Sequence, residues 1–327
     1  MPAFTATAPG KIILFGEHAV VYGQPAIAVP VNQVRARAVV SANPPRPGSR
    51  ASLPQRGMAA VQVQAPGIRL QASLADLPDD HALGRAMHAV FSTLKIANPP
   101  ACTVRVTSTI PVAAGLGSGA AVSVAVMRAL SAFLGHPLAL EQVSALAFEV
   151  EKLYHGTPSG IDNTVITFNQ PVYFVLGQPV QTLALPRPFR IVIGDTGRSS
   201  STAAVVGDVH TAWQADPQPY EAIFEAVGDI ARAARQAIQD GRPGDLGPLM
   251  DRNHALLSRL GVSSPELDGL VKAARQAGAL GAKLSGGGRG GNMIALVEEA
   301  AAQRVVQALL DQGAKRVITT TVKEIKQ

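Results

Sequence analysis

A loop made almost wholly of small residues, Pro111-Val-Ala-Ala-Gly-Leu-Gly-Ser-Gly-Ala-Ala121, constrains this chain more than any other stretch. Before it, Cys102, Val104 and Val106 alternate with Thr103, Arg105 and Thr107, the period of a half-buried strand. After it, an alanine-rich apolar run continues to about Leu134, where Gly135 and Pro137 stop it, as expected of a buried helix. Small residues at such a turn let a bulky anion approach the backbone. The new helix offers that anion unpaired N–H groups and the positive end of its dipole. On its residues alone the loop is either a structural turn before a packed helix or a phosphate cradle. It is not a Walker A loop, because no Gly-Lys-Ser/Thr closes it.

Around this unit the pattern predicts a mixed chain. Residues 4–14 and 26–40 read as strands, and Val61 to Leu74 alternates again. Between them Asn43 to Gly57 is rich in Pro, Gly and Arg, without periodicity, and reads as an exposed excursion. Asp79–Asp80 opens an amphipathic helix through Leu94, with Leu83, Met87, Val90 and Leu94 on one stripe. Glu141 to His155 is a second, with Val143, Leu146, Ala147, Val150 and Leu153 inward. Leu185-Pro-Arg-Pro188 reads as a linker. Beyond it come a strand (Phe189 to Gly194), four helices (Thr202 to Trp213, Tyr220 to Asp240, Asp245 to Leu260, Pro265 to Ala277), a strand–glycine loop–strand unit (Ala282 to Val297), a helix (Glu299 to Gln312) and a last strand (Arg316 to Val322). A length of 327 residues and the absence of regular βαβ alternation predict an α+β protein of two domains, 1–185 and 186–327.

Composition removes several functions. Apolar residues make up 47% and charged ones only 16%, so the chain is not a charged disordered segment. Its apolar stretches break well short of the roughly 20 residues that span a bilayer, so no membrane association is expected. Met1 to Gly16 does not read as a secretory signal. The net charge of +6 raises the question of nucleic acid. The positive residues are scattered and aromatics are 4% with one Trp, so no nucleic-acid partner is expected, and a polyanionic small substrate suits the charge equally well. The one cysteine, Cys102, sits in an alternating run as a small core residue. A reducing, cytoplasmic setting is the default.

Three further stretches carry chemistry-bearing residues. Ser285-Gly-Gly-Gly-Arg-Gly-Gly291 contains G-x-G-x-x-G at Gly286, Gly288 and Gly291, but a strand follows where a dinucleotide fingerprint needs a helix. Gly286, Gly287 and Gly288 exceed what a hairpin needs, and close approach to a ligand explains them better. In Pro9-Gly-Lys-Ile-Ile-Leu-Phe-Gly-Glu-His-Ala-Val-Val-Tyr-Gly23, Lys11 interrupts an apolar run, and Glu17 and His18 follow Gly16. Lys11 taken alone is an edge-strand residue snorkelling to water, and His18 a satisfied loop histidine. In Glu151-Lys-Leu-Tyr-His-Gly-Thr-Pro-Ser-Gly-Ile-Asp-Asn163, Pro158 and Gly160 make a tight turn that aims Asp162. Glu151 is either a magnesium ligand or an ion-pair partner of Lys152. Asp162 is either a proton acceptor or a turn cap.

Together, in this order, these stretches resemble the GHMP kinase superfamily, over nearly the whole chain apart from the Asn43 to Gly57 excursion. Its three motifs correspond to Pro9 to Gly16, Pro111 to Ala121 and Lys283 to Gly291. Gly16-Glu-His-Ala-Val-Val-Tyr-Gly23 and His155-Gly-Thr-Pro-Ser-Gly-Ile-Asp-Asn163 are similar to the branch that phosphorylates mevalonate. A galactokinase-like chain would carry an arginine near His18. The resemblance implies a ribosomal protein S5 domain 2-like N-terminal domain and a ferredoxin-like C-terminal domain. It implies ATP and mevalonate as substrates and Mg2+ as cofactor. It makes Asp162 the catalytic aspartate and Lys11 the lysine near the reacting hydroxyl and the γ-phosphate. Glu151 becomes a magnesium ligand, and Glu17, His18 and Thr202 become acceptor-site residues. The nucleotide side falls to Pro111, Gly115, Leu116, Gly117, Ser118, Gly119, Ala120, Ala121 and Gly286 to Gly288.

Two positions depart from the family pattern. Gly119 stands where a second serine is common, so either Ser118 or a water reaches the metal. Arg289 interrupts the third glycine run and either touches phosphate or points to solvent. For the acceptor carboxylate, Arg198 is the candidate cation, by its position near Thr202 and its planar fork. The alternative activity is another small-molecule kinase of the superfamily, acting on phosphomevalonate. A homodimer is the usual expectation for a soluble oligomer.

Overall fold

Long alternating strands organise the first half of the protein. The computed structural model describes residues 3–43, 56–111, 114–155, 159–198 and 200–323. Most of the Asn43–Gly57 excursion, Pro158 of the expected turn and Ser199 lie outside the described residues. Strands β1 (Ala3–Phe15) and β2 (Ala26–Ala42) pair antiparallel along most of their length. From Val34 onward β2 buries Val34, Ala36, Ala38 and Val40 and turns Arg35 and Arg37 outward, as period-two alternation requires.

The stretch from Val61 to Leu74 forms two strands, β3 (Val61–Ala65) and β4 (Leu70–Ser73), paired as a hairpin. Pro66 starts a one-turn 3-10 segment between them, because proline has no N–H for the ladder. Helix α1 (Ala82–Thr93) begins later than Asp79, which lies in a turn closed by the His81 N–H on the Pro78 carbonyl at 2.9 Å. Strand β5 (Cys102–Ser108) lies between β2 and β3. Helix α2 (Ser118–Phe133) packs its small-residue face on β1 and β2, with α3 (Leu140–His155) and α4 (Ile161–Phe168) beside it. Along α3 the inward stripe holds for Val143, Ala147 and Val150, but Leu153 is exposed. Ten residues beyond Val143, at about 100° each, Leu153 sits roughly 80° off the stripe.

Short strands β6 (Val172–Phe174) and β7 (Gln181–Thr182) complete a seven-stranded sheet in the order β4-β3-β5-β2-β6-β7, with β1 on β2. Leu185, the first residue of the expected linker, and Leu183 before it are buried in the core shared by both halves.

The second half comprises β8 (Phe189–Asp195), α5 (Thr202–Ala215), α6 (Pro217–Gln239), α7 (Leu246–Arg259), α8 (Pro265–Gln276), β9 (Gly281–Ser285), β10 (Asn292–Val297), α9 (Glu299–Asp311) and β11 (Arg316–Val322). Its antiparallel sheet runs β11-β8-β10-β9. In chain order that is 4-1-3-2, the split βαβ arrangement of ferredoxin-like domains. β9 and β10 are buried along their whole length and read as unbroken apolar runs apart from Lys283 and a few small polar residues. The architecture is a two-domain α+β fold. β9, α6 and α7 of the second half pack against β1 of the first, so the motifs of both halves converge. Cys102 is buried, and burial pushes its thiol up to about 12. Among the described residues no helix is long and apolar enough to cross a membrane.

Candidate active site

Lys11 does not snorkel to solvent. It is buried on β1, and its Nζ lies 2.9 Å from Asp162 Oδ1. Its backbone N–H donates to the Leu116 carbonyl at 3.0 Å, which ties the small-residue loop to β1. Asp162 stands not on a turn but in the first turn of α4, just after Gly160 in the left-handed conformation. Two bonds hold that turn. Thr164 Oγ1 donates to the Gly160 carbonyl at 2.7 Å, and Asn163 Nδ2 donates to Ser144 Oγ at 2.9 Å. About a quarter of the Asp162 side chain remains open, so it can meet a substrate.

Glu151 faces this pair from α3. Lys152 turns away to Glu149, at 2.7 Å, so the Glu151–Lys152 ion pair does not form. Burial pushes the Glu151 carboxyl up to about 8. The neighbouring Asp162 charge adds to the rise, while Lys11 and the Asn163 backbone N–H oppose it. Two carboxylates so close, one buried, are short of positive charge. That donor set suits a hard dication, with Ser118 at the head of α2 as a further oxygen. Among the described residues no cluster of three His, Cys, Asp or Glu forms a ready-made cage. A magnesium ion there would draw its remaining ligands from phosphate oxygens and water.

Gly117 is the N-cap of α2 at φ 71°. A Cβ there would lie 2.7 Å from Ile166 Cδ1 and 3.1 Å from Lys11 Cγ, so only glycine lets the loop sit over the pair. The first helical bond runs from the Ala121 N–H to the Gly117 carbonyl, at 3.0 Å. The N–H groups of Ser118, Gly119 and Ala120 precede it and point out of the helix start, beside Asp162. Leu116, Ala120 and Ala121 are buried, Pro111 is half-buried and Gly115 is exposed. Asn292 Nδ2 donates to the Ala114 carbonyl and brings β10 onto the loop.

Gly119 has no left-handed φ, and no atom lies within 4 Å of a Cβ placed there. Gly119→Ser is therefore expected to fold and to gain roughly 0.5 kcal/mol from helix propensity. Unchanged or tighter magnesium dependence of the rate, together with chemical denaturation, checks this. A loss of ATP affinity would show that the bare backbone at 119 contacts phosphate.

Glu17 and His18 form the strained corner of the site. His18 has φ 60° and ψ −50°, and the Ala19 N–H donates to the Glu17 carbonyl at 2.7 Å. This is a γ-turn of the rare, positive-φ kind. Such strain persists only where the surroundings impose it. On one side the fully buried Glu17 carboxylate pairs with Lys283 and accepts from Asn253 Nδ2 at 3.3 Å. On the other, His18 Nε2 bonds the Gly287 carbonyl at 3.0 Å. Burial lowers His18 to about 4, with Arg289 adding to the fall and the Gly287 bond opposing it, so the ring is neutral at pH 7.

Thr202, at the start of α5, lies directly on Gly287, where a Cβ would come within 2.9 Å of its Oγ1. Gly288 is equally hemmed in, at φ 80° with the Val262 carbonyl 1.9 Å from a Cβ position, and Gly286 borders open space.

The two arginines face outward. Arg198 pairs with Glu266 of α8 at 2.6 Å and is two-thirds exposed, while its carbonyl accepts from the Gly291 N–H at 2.8 Å. Arg289 pairs with Asp208 of α5 and donates from Nε to the Gly261 carbonyl at 3.2 Å. Sequence reasoning assigned no role to Lys283, Asn253 or Asn292. For Lys283 the signal was present, since it breaks an apolar strand as Lys11 does. Asn253 and Asn292 carry no such signal.

Comparison with known proteins gives concordant results. The GHMP kinases N terminal domain pattern matches residues 82–170, and the GHMP kinases C terminal pattern matches residues 234–315. The chain is 38% identical to the mevalonate kinase of Thermococcus gammatolerans, over 98% of this chain and 96% of that one. It is 35% identical to the mevalonate kinase of Pyrococcus furiosus, with the same coverage. Among solved structures it is similar to L. major mevalonate kinase in complex with R-mevalonate. That match has a TM-score of 0.80 and 32% identity, over 98% of this chain and 95% of that one.

Proposed function

This chain belongs to the GHMP kinases and, within them, to the mevalonate kinase family, and from that premise we propose that Asp162 and Lys11 carry its chemistry. The protein is an ATP-dependent kinase that phosphorylates mevalonate. The observation that carries the residue assignment is the 2.9 Å Lys11–Asp162 pair, set at the mouth of two helix N-termini.

Asp162 accepts the proton of the mevalonate primary hydroxyl as its oxygen attacks the γ-phosphorus. The bond to the β-phosphate oxygen breaks, and ADP leaves. Lys11 favours the developing alkoxide and neutralises charge on the transferring group. The Ser118, Gly119 and Ala120 N–H groups and the α2 dipole hold the nucleotide phosphates. Positioning and charge neutralisation supply most of the rate in such transfers. Glu151 and Ser118 would hold Mg2+, which when bound neutralises phosphate charge. Neutral His18 and Thr202 face the acceptor from the Gly286–Gly288 side, and Glu17 acts by holding His18. Residues 1–185 thus bring base, lysine and cradle, and residues 186–327 bring the third glycine loop. The reaction runs in the cytoplasm. A coupled assay with ATP and mevalonate, phosphomevalonate or homoserine tests the reading. Turnover of phosphomevalonate alone would move the chain to the neighbouring branch.

Glu151→Gln tests the metal role and the pH behaviour together. With its carboxyl raised to about 8, the folded wild type keeps a proton that the unfolded chain releases near 4.5. That contribution is complete below about pH 4.5 and is lost as pH rises through about 8. Between pH 6.5 and 8 the wild type is expected to lose about 1.5 kcal/mol from this group, offset in part by His18 and His254, which are neutral in the fold but still half protonated in the unfolded chain at the lower end of that range. Glu151→Gln flattens that slope in chemical denaturation and raises the magnesium needed for half-maximal rate. A flat wild-type profile and an unchanged magnesium titration would return Glu151 to a structural part.

Arg198 remains our candidate for the acceptor carboxylate, its exposed pair with Glu266 being readily exchanged. Arg198→Lys is expected to raise the KM for mevalonate about tenfold and leave that for ATP unchanged. Equal KM values would leave Arg198 to Glu266.

A further inference from the structure

Strands β1 and β2 lose register in mid-sheet. Pro9 pairs with Arg35 but Gly10 pairs with Val31, so Asn32, Gln33 and Val34 are extra residues on β2. Bulges of this sort re-aim side chains and open the sheet. Here the opening is a cavity of about 330 Å³, bordered by β1, the bulge, α2 and the last residue of the α4 turn. Two guanidinium groups line it, Arg35 from the bulge and Arg128 from α2. Thr5, Thr7, Asn32 and Asn169 supply polar atoms, and among the described residues no acidic one lines it.

Among the described residues neither arginine forms an ion pair. Among those residues the Arg35 side chain donates only to Asn32, from Nε to the carbonyl at 2.8 Å and from Nη2 to Oδ1 at 3.3 Å. Asn169 caps α4 with φ 51°, and its buried Oδ1 has no partner. Rotating that amide would present two N–H donors instead.

Two cations sharing one concave wall repel each other and concentrate a positive field in the cavity. An anion of two or more charges relieves this, and planar guanidinium forks match phosphate oxygens. We propose that this cavity binds a small phosphate-bearing anion, at a site separate from the ATP cradle. Arg128 lies ten residues beyond Ser118 on α2, about 15 Å along the axis. Asn169 closes the helix that Asp162 opens, about 10 Å away. The cavity thus lies past the middle of α2 and at the C-terminal end of α4, away from the N-termini that frame the catalytic pair.

The test is calorimetric titration of inorganic diphosphate, and separately of inorganic phosphate, into the full chain. A non-hydrolysable magnesium–ATP analogue and mevalonate are kept saturating, so that the cradle is filled. One equivalent of diphosphate is expected to bind, more weakly as salt is raised. Arg128→Gln and Arg35→Gln are each expected to weaken it at least tenfold while leaving the KM values for ATP and mevalonate unchanged. Tighter diphosphate than phosphate assigns a two-phosphate ligand, and equal affinities a single phosphate group. No binding to the wild type, or binding unchanged in both variants, overturns the proposal. Lower stability of the variants with no wild-type binding would make the arginines mere neutralisers of the α4 C-terminus. Since the arginines come from different elements, either variant decides if the other does not fold.

Discussion

Asp162→Asn is expected to bind ATP as the wild type does and to lose at least about 10²-fold in kcat, the usual scale for an acid–base group. The substitution removes the proton acceptor but almost no volume, so the α4 turn, held by Thr164 and Asn163, stays in place. Lys11 would keep an oxygen within reach at position 162, so the comparison isolates the proton rather than the contact. Single-turnover measurements with saturating ATP and mevalonate separate chemistry from product release. A kcat near that of the wild type would leave Lys11 as the main catalytic group. Unchanged kcat with a raised KM would make Asp162 a binding residue only.

Lys283→Met is expected to have the largest effect on stability. Both partners of the Lys283–Glu17 pair are completely buried. Burial lowers the Lys283 ammonium below its usual range, and Glu17 alone holds it up. Removing the cation leaves a buried carboxylate with, among the described residues, only Asn253 as a side-chain donor, at a cost of about 3–5 kcal/mol. Replacing both charges, as in Lys283→Met with Glu17→Leu, recovers much of that loss, because two apolar groups of similar volume need no pairing. The double variant is nonetheless expected to be a poor enzyme, since the strained turn at His18 loses one of its two ties. Chemical denaturation and the KM for mevalonate check the two halves of this expectation. If single and double variants were equally stable, the unpaired Glu17 carboxylate would carry no cost.

Much of this site was legible before any coordinates. The small residues of the loop around Gly117 mark a turn that an anion can approach, and Lys11 stands out as a charge inside an apolar strand. What escaped was set by long-range packing. Asp162 reads as a turn residue because α4 is only eight residues long, too short to show a helical period. β6 and β7 are three and two residues and carry no period at all. Val61 to Leu74 reads as one alternating stretch, and its folding into a hairpin around Pro66 depends on β3 pairing with β5.

By itself, then, the sequence determined the two-domain α+β class and the family, and it singled out the residues proposed for phosphoryl transfer. Spacing of apolar residues and the chemistry of small, acidic and basic side chains are local properties, readable from neighbours along the chain. Tertiary structure alone decided how those residues are charged and held. Glu151 is raised because α3 places it in the interior beside Asp162 of α4. His18 is neutral and strained because β9 and the Gly287 loop, some 270 residues away, clamp it from both sides. Arg198 and Arg289 are drawn to Glu266 and Asp208 because α8 and α5 pack next to their loops. Burial and charge neighbourhood are properties of the packed chain, and no local pattern encodes them.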